Sequence, residues 1–170
     1  MTLIRAAVLT ALVALAVALQ VAGFSFLSYD GVVPNLALLL VVAAALVRGP
    51  DFAATLGFFA GLAIDLAPPA DHVAGRWALA LVVVGYVVGR VRQDAGSSAV
   101  AAVLTVAAAS FIGTSVFALS GLVLQDPAVP IAEALWVIPV AVVYDVLLTP
   151  FVLPPVMRLF RRIQPHQLAF

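Results

Sequence analysis

Residues 57–66 read GFFAGLAIDL, and this stretch determines how the rest of the chain can pack. At helical spacing Gly57, Gly61 and Asp65 fall four residues apart, so two glycines and a carboxylate share one face of a helix. In lipid, glycines at this spacing let a neighbouring helix approach to backbone contact. A carboxylate that faced hydrocarbon would be costly, so we expect Asp65 to lie beside a donor on another helix or in a wet cavity.

The composition of the 170-residue chain is that of an integral membrane protein. Hydrophobic residues make up 65% and charged residues 9% of it, and the mean hydropathy is +1.23, whereas about 25% of the residues in a soluble domain are charged. We expect one transmembrane helical domain over residues 1–170, because the spans leave too little chain for a soluble domain. The net charge of zero argues against nucleic acid as a partner. The absence of cysteine excludes disulfides, thiolate metal sites and cysteine nucleophiles.

Six apolar runs predict an all-α bundle of six transmembrane helices. They are residues 6–27, 34–47, 51–67, 77–89, 97–124 and 131–159. The first run is longer than the apolar core of a signal peptide, which indicates an uncleaved helix. The second is short, roughly 21 Å at 1.5 Å per residue. A re-entrant hairpin of the second and third runs is the alternative, but it would bury Arg48 and Asp51 at the bilayer centre, which favours two short spans.

Small residues recur on other predicted helices. Gly85 and Gly89 repeat the four-residue spacing in the fourth run, and Gly113 shares a stripe with Phe117 and Gly121 in the fifth. Such a stripe either packs inside the bundle or meets a helix of a partner, because close backbone approach serves both uses.

Polar residues inside or beside the apolar runs are the other candidates for a site. In the sixth run, Asp145 lies beside Tyr144 and one turn before Thr149. It either makes a structural hydrogen bond between helices or belongs to a functional polar centre. Asp65 is predicted nearer the outer interface, where it is either hydrated or hydrogen-bonded to loop amides, or else lines a cavity or binds a partner. His72 is expected to be a solvated loop residue.

The arginines predict the orientation in the membrane. With six spans, the side that holds both termini carries seven of the eight basic residues, namely Arg5, Arg48, Arg90, Arg92, Arg158, Arg161 and Arg162. Only Arg76 lies on the other side, so the positive-inside rule places both termini in the cytoplasm. Arg158, Arg161 and Arg162 share one helix face, which favours contact with anionic lipid or, alternatively, with a protein partner.

Four short motifs follow one another along the chain. They are Pro34-Asn35, then Gly57-Phe58-x-x-Gly61-Leu62-x-x-Asp65, then Gly85-Tyr86, and finally Tyr144-Asp145-x-Leu147-Leu148-x-Pro150. In order and spacing they resemble the MreD family of bacterial rod shape-determining membrane proteins. The resemblance covers about residues 32–92 and 140–160.

The resemblance implies a bundle of five or six helices, similar in shape to the substrate-binding subunits of vitamin (ECF-type) transporters. It implies a cell-shape protein of the bacterial inner, or cytoplasmic, membrane that binds MreC. Through MreC it would support RodA, a class B penicillin-binding protein and the MreB filament in the elongation complex that builds side-wall peptidoglycan. Membrane lipids are the other expected contacts, and no cofactor or metal is expected.

Two other functions stay open at the level of the sequence. The two intramembrane carboxylates also suit a small-molecule transporter or a substrate-binding membrane subunit. A membrane-embedded enzyme is the third reading and the least favoured, because Asp65 and Asp145 are predicted at different depths and the sequence contains no evident nucleophile, metal site or phosphate clamp beside them.

Overall fold

The computed structural model is entirely helical in its regular structure over the residues it describes, which are 2–24, 28, 32–68, 72–95, 98–126 and 131–163. Six α-helices follow one another: α1 (Thr2–Ala18), α2 (Leu36–Arg48), α3 (Pro50–Asp65), α4 (Arg76–Ala95), α5 (Ala99–Val123) and α6 (Ile131–Ile163). A π-helical segment, Leu19–Gly23, continues α1. The predicted turn at residues 28–31 lies outside the described residues, apart from Ser28.

Three helical stretches are long and apolar enough to cross a membrane. They are Leu3–Gly23, Ala99–Val123 and Trp136–Ile163, and α2 is a shorter apolar helix. Each of the six predicted runs overlaps one of the six α-helices. Over the described residues the chain is therefore all-α, with three helices that are long and apolar enough to span a membrane, as its composition predicts.

The fourth helix is longer than its apolar run predicts. The run ends at Gly89, but α4 continues to Ala95. Residues 90–94 read RVRQD and contain neither glycine nor proline, so nothing in the backbone stops the helix there. Gly89 lies inside α4 because its bare backbone packs against Pro50. The predicted end at Gly89 was therefore wrong, since it took the end of the apolar run for the end of the helix.

A one-residue connection joins α2 to α3. Gly49 adopts a φ of 90°, a conformation that favours glycine, and its N–H donates to the carbonyl of Ala45 at 3.1 Å. Pro50 then occupies the first turn of α3, where its missing N–H is not needed. The connection falls between the second and third predicted runs, and it places α2 and α3 side by side.

The second helix forms the core of the molecule. Its residues from Leu36 to Ala45 are all buried, and it packs against α1, α3, α4, α5 and α6. A helix that is apolar on every side can be buried on every side, because none of its faces needs water. The other helices therefore surround α2, and polar groups that touch its ends lie inside the protein.

The start of α2 lies deep in the bundle. The backbone N–H of Asn35, just before α2, donates to the carboxylate of Asp145 at 2.8 Å. Asp145 is fourteen residues into α6 (131 to 145), roughly 21 Å along that helix. Val32, Pro34 and Asn35 are themselves buried. The chain thus passes into the bundle before α2 begins, and the amino terminus of α2 lies beside the middle of α6.

Candidate functional site

The glycines of α3 and α4 form one continuous contact between the two helices. A Cβ added at Gly57 would overlap the carbonyl of Leu81, and one added at Gly61 would overlap the backbone of Ala78. The contact is reciprocal, since a Cβ at Gly85 would lie 2.6 Å from the carbonyl carbon of Ala53.

Gly89 extends this contact to the first turn of α3. A Cβ there would overlap the backbone of Pro50. Because both helices contribute two glycines and run antiparallel, their backbones touch along almost all of α3. The stripe that the sequence offered either for internal packing or for a partner is thus occupied by α4.

Gly113 makes a looser contact. A Cβ at this position would lie 3.0 Å from Cδ1 of Leu38 and 3.2 Å from Cγ2 of Val84. Both atoms are ends of side chains that can shift, in contrast to the backbone atoms that face Gly57. Gly113 therefore lets α5 approach α2 and α4 without fixing their separation as strictly.

Asp65 closes the outer end of the hairpin formed by α3 and α4. Its carboxylate accepts hydrogen bonds from the backbone N–H groups of Gly75 (2.9 Å), Trp77 (3.1 Å) and Ala78 (3.1 Å). These groups are the unpaired donors of the first turn of α4, where a negative charge is also favoured by the helix dipole. Asp65 is 1% exposed. Of the two roles the sequence left open, this geometry favours binding to loop amides.

His72 was wrongly expected to be a solvated loop residue. Its Nε2 lies 2.9 Å from Oδ1 of Asp65, its side chain is only 16% exposed, and its ring packs edge-on against Phe117 at a centroid distance of 5.2 Å. Asp65 and Phe117 lie on α3 and α5, so the histidine is enclosed by groups that are distant in the sequence. A position in a polar loop could not reveal this.

The sequence reading missed a buried ion pair beside Asp65. Arg76 is 1% exposed, and its Nη1 donates to Oδ2 of Asp126 at 2.6 Å. Its Nη2 donates to the carbonyl of Phe117 at 2.7 Å, and its guanidinium lies 3.9 Å from the centroid of that ring. A Cβ at Gly121 would overlap the guanidinium. Phe117 and Gly121 on α5 thus form the surface on which Arg76 packs. The sequence placed these two residues on one helix face but did not identify the side chain that contacts it.

Asp145 joins three parts of the chain at the middle of the bundle. It is fully buried, and Oδ1 accepts from the N–H of Asn35, whereas Oδ2 accepts from the hydroxyl of Ser110 at 2.6 Å. A buried carboxylate that binds two donors is far less costly than an unpaired one. The contact ties α6 to α5 and to the start of α2, which favours the structural role among the two that the sequence left open.

Asn35 links the carboxylate of Asp145 to the first turn of α2. Its side-chain Oδ1 accepts from the N–H of Leu38 at 2.9 Å, so it is the N-cap of α2. Gln20 supplies a second cap, because its Oε1 accepts from the N–H of Ala37 at 3.3 Å. The Nδ2 of Asn35 is buried and has no hydrogen-bond partner within the described part of the chain.

Thr149 bonds to the backbone of Asp145 and not to its carboxylate. The hydroxyl of Thr149 donates to the backbone carbonyl of Asp145 at 2.8 Å, a bond within α6. Tyr144 is half-buried on an adjacent face. The carboxylate of Asp145 therefore joins other parts of the chain, whereas the hydroxyl of Thr149 bonds within α6.

The predicted cationic face lies at the carboxyl end of α6. Arg158, Arg161 and Arg162 are all exposed, whereas Phe160 among them is fully buried and packs edge-on against Phe52 with a centroid distance of 6.0 Å. This packing fixes the end of α6 beside the start of α3. The three guanidiniums therefore point away from the protein.

Fold and contacts define a helical protein with helices able to span a membrane, in which the candidate residues join one helix to another. Asp145, Asp65 and Arg76 are each paired across different helices, and the glycines of α3 and α4 are packed together. Comparisons of the chain with protein-family models, with curated proteins and with solved structures found no match. The likeness of the four motifs to the MreD family therefore stays a prediction.

Proposed function

We propose that this chain is a non-enzymatic membrane adaptor of the MreD type, which binds MreC and thereby supports the complex that builds side-wall peptidoglycan. One observation carries the proposal: the residues of the family-like motifs are those that hold the helices together. Asn35 pairs with Asp145, Gly57 and Gly61 pack on α4, and Asp65 caps α4. Motif residues used in this way maintain a rigid surface for a partner.

We further propose six spans with both termini in the cytoplasm. The arginine count supports this orientation, with Arg76 as the single arginine on the outer side. The surroundings of Arg76 account for this exception. Because Asp126 neutralises Arg76 inside the protein at 2.6 Å, Arg76 presents no exposed charge on the outer side. The hairpin of α3 and α4 would then cross the membrane as a tightly packed pair.

The transporter alternative requires polar groups that a substrate can reach. Asp65 and Asp145 are 1% and 0% exposed, and their carboxylates accept four and two hydrogen bonds from the protein when His72 is counted as a donor. Carboxylates that are already satisfied support an architectural role better than a binding one. Saturable uptake of a small molecule by proteoliposomes that contain the protein would favour the transporter alternative over the adaptor.

Recognition of MreC should occur mainly within the membrane, because the connections between helices are short and leave little surface in water. Contacts between membrane helices contribute only about 0.6 to 2 kcal/mol each. Several of them must act together, so single substitutions on the lipid-facing surface should weaken the complex without abolishing it.

The test is co-purification with three forms of MreC: the full-length protein, its membrane helix alone, and its extracytoplasmic domain alone. We expect the full chain, in nanodiscs, to retain the first two forms. Retention of the extracytoplasmic domain only would contradict recognition within the membrane. No retention of any form would contradict the adaptor proposal.

Orientation is tested separately, because the chain has no native cysteine. Single cysteines at positions 71 and 94 should react with a membrane-impermeant reagent from opposite sides of the membrane. Labelling of both from the same side would contradict the six-span arrangement.

A further inference from the structure

A groove of about 460 Å³ runs between α1 and α3 on the outside of the bundle. Five residues of each helix form its walls: Ala6, Leu9, Thr10, Val13 and Ala14 from α1, and Phe52, Thr55, Leu56, Phe59 and Ala63 from α3. From Phe52 to Ala63 it follows α3 for roughly 16 Å. Its volume lies within the range of small-ligand sites, about 300 to 1,000 Å³.

The walls of the groove are apolar. Phe59 is 59% exposed, so a large part of its ring remains free for an apolar occupant. The hydroxyl of Thr55 donates to the carbonyl of Asp51 at 2.8 Å within α3. Its polar group is therefore satisfied and its methyl group can face the groove. A hydrocarbon chain suits these walls, and a polar ligand would lose its hydrogen bonds there.

One end of the groove is cationic. Arg5 directly precedes the wall residue Ala6, and the guanidinium of Arg48 lies 4.1 Å from the centroid of the wall residue Phe52. The two arginines are close enough for their charges to repel each other. Both are half-buried. An anion between them would relieve this repulsion, and a guanidinium binds phosphate with paired hydrogen bonds.

We propose that this groove binds one anionic phospholipid, with an acyl chain along α1 and α3 and the phosphate between Arg5 and Arg48. The apolar walls match the chain and the paired arginines match the headgroup. In the six-span orientation, both arginines lie at the cytoplasmic surface, where the headgroups of the inner leaflet are found.

The shape of the groove favours a lipid over the helix of a partner protein. A helix with its side chains is about 10 to 12 Å across, and helices in lipid pack closely where their residues are small. The glycines of α3 face α4 instead, and the groove presents Phe52 and Phe59. A flexible chain can fit between such rings, whereas a helix would be held away from the backbone.

The test is lipid retention by the purified full chain, measured by native mass spectrometry. The protein is equilibrated with equal amounts of phosphatidylglycerol and phosphatidylcholine that carry the same acyl chains. We expect phosphatidylglycerol to be retained preferentially. Arg5→Gln and Arg48→Gln should each lower this preference about five-fold, as about 1 kcal/mol per arginine near the membrane surface implies. Arg90→Gln is the matched control, because it removes an exposed arginine of the same predicted membrane side that lies outside the groove, and it should leave the preference unchanged.

Equal retention of the two lipids by the natural protein would overturn the proposal. So would an equal loss in the Arg90→Gln control, because the preference would then reflect the general charge of the cytoplasmic surface. Neither result bears on MreC binding, so this test is independent of the proposed function.

A second measurement maps the acyl chain on the natural sequence. Phosphatidylglycerol with a photoactivatable group on its acyl chain should crosslink to peptides of α1 and α3. Crosslinks confined to α5 and α6 would overturn the proposal. In membranes that contain MreC, loss of the lipid crosslinks to α1 and α3, with lipid crosslinks to the other helices unchanged, would assign the groove to a partner helix instead.

Discussion

The two faces of α3 are built from opposite kinds of residue. Toward α4, Gly57 and Gly61 have no side chain, and the backbones of the two helices touch. Toward α1 and the outside, Phe52 and Phe59 line a groove that no described part of the chain fills. One helix thus forms a close contact on one side and an open surface on the other. Substitutions on the two faces should therefore differ greatly in their effects.

The largest effect is expected on the glycine face. Gly57→Leu or Gly61→Leu would drive a side chain into the backbone of α4, which cannot move away as a side-chain end can. The cost should reach or exceed roughly 3 kcal/mol, the upper part of the usual range for overpacking. Thermal unfolding in detergent and the amount of protein in the membrane measure it. Leu62→Ile on the same helix is the control and should have little effect, and equal mild effects at all three positions would mean that the stripe faces lipid.

A smaller loss of stability is expected when Asp65, the cap of α4, is replaced. This cap holds α3 and α4 together at the end of the glycine contact. Asp65→Leu removes an acceptor for three backbone N–H groups and for His72. Asp65→Asn keeps one acceptor oxygen and should therefore destabilise the protein less than Asp65→Leu does. We expect its loss of stability to lie within the roughly 0.5 to 2 kcal/mol that helix caps contribute. The two variants are compared by their apparent Tm in detergent. If Asn and Leu are equally harmless, the cap does not stabilise the hairpin.

At the centre of the bundle, the hydrogen bonds of Asp145 should matter more than its charge. Asp145→Asn retains an acceptor for Asn35 or Ser110, whereas Asp145→Leu leaves both donors unpaired at about 1 to 3 kcal/mol for each buried group. We therefore expect Asn to be tolerated better than Leu in the same unfolding measurement. Ser110→Ala should reproduce part of the Leu effect. If both Asp145 variants behave as the natural protein, this contact has no structural importance.

The smallest effect on stability is expected on the groove face of α3. Phe59→Ala removes a largely exposed ring, and surface substitutions usually change the free energy of unfolding by no more than about 0.5 kcal/mol. Its unfolding should resemble that of the natural protein. A loss as large as that of Gly57→Leu would show that another element covers the groove, and would remove the difference between the two faces.

The sequence predicted the surfaces of the fold better than it predicted their partners. A glycine at every fourth residue identifies a face of a helix, because helical period alone sets which residues share a side. It does not identify the helix that packs on that face, so the sequence allowed either α4 or a helix of a partner protein. Asp145 was likewise singled out by its position in an apolar run, but Asn35 lies 110 residues away.

The residues that were misread lie where a helix begins. Arg76 and His72 occur in a polar stretch, and polar residues in such stretches usually contact water. Their burial depends on Phe117 and Gly121, which come from a distant helix. Gly121 beside Phe117 leaves space in which a guanidinium can lie. Arg76 can be assigned to that space only when the register of α4 against α5 is known.

Footprinting from within the lipid tests the central claim most directly, namely that the hairpin of α3 and α4 lies in the membrane with its glycine face inward. The purified full chain in liposomes is irradiated with a lipid-dissolved diazirine, and the labelled residues are found by mass spectrometry. Phe58 and Phe59, 46% and 59% exposed, should be labelled, whereas Ala53 and Ala60, both fully buried, should not. Labelling of the two alanines to the same extent as the two phenylalanines, or no labelling of α3 at all while α5 and α6 are labelled, would contradict it.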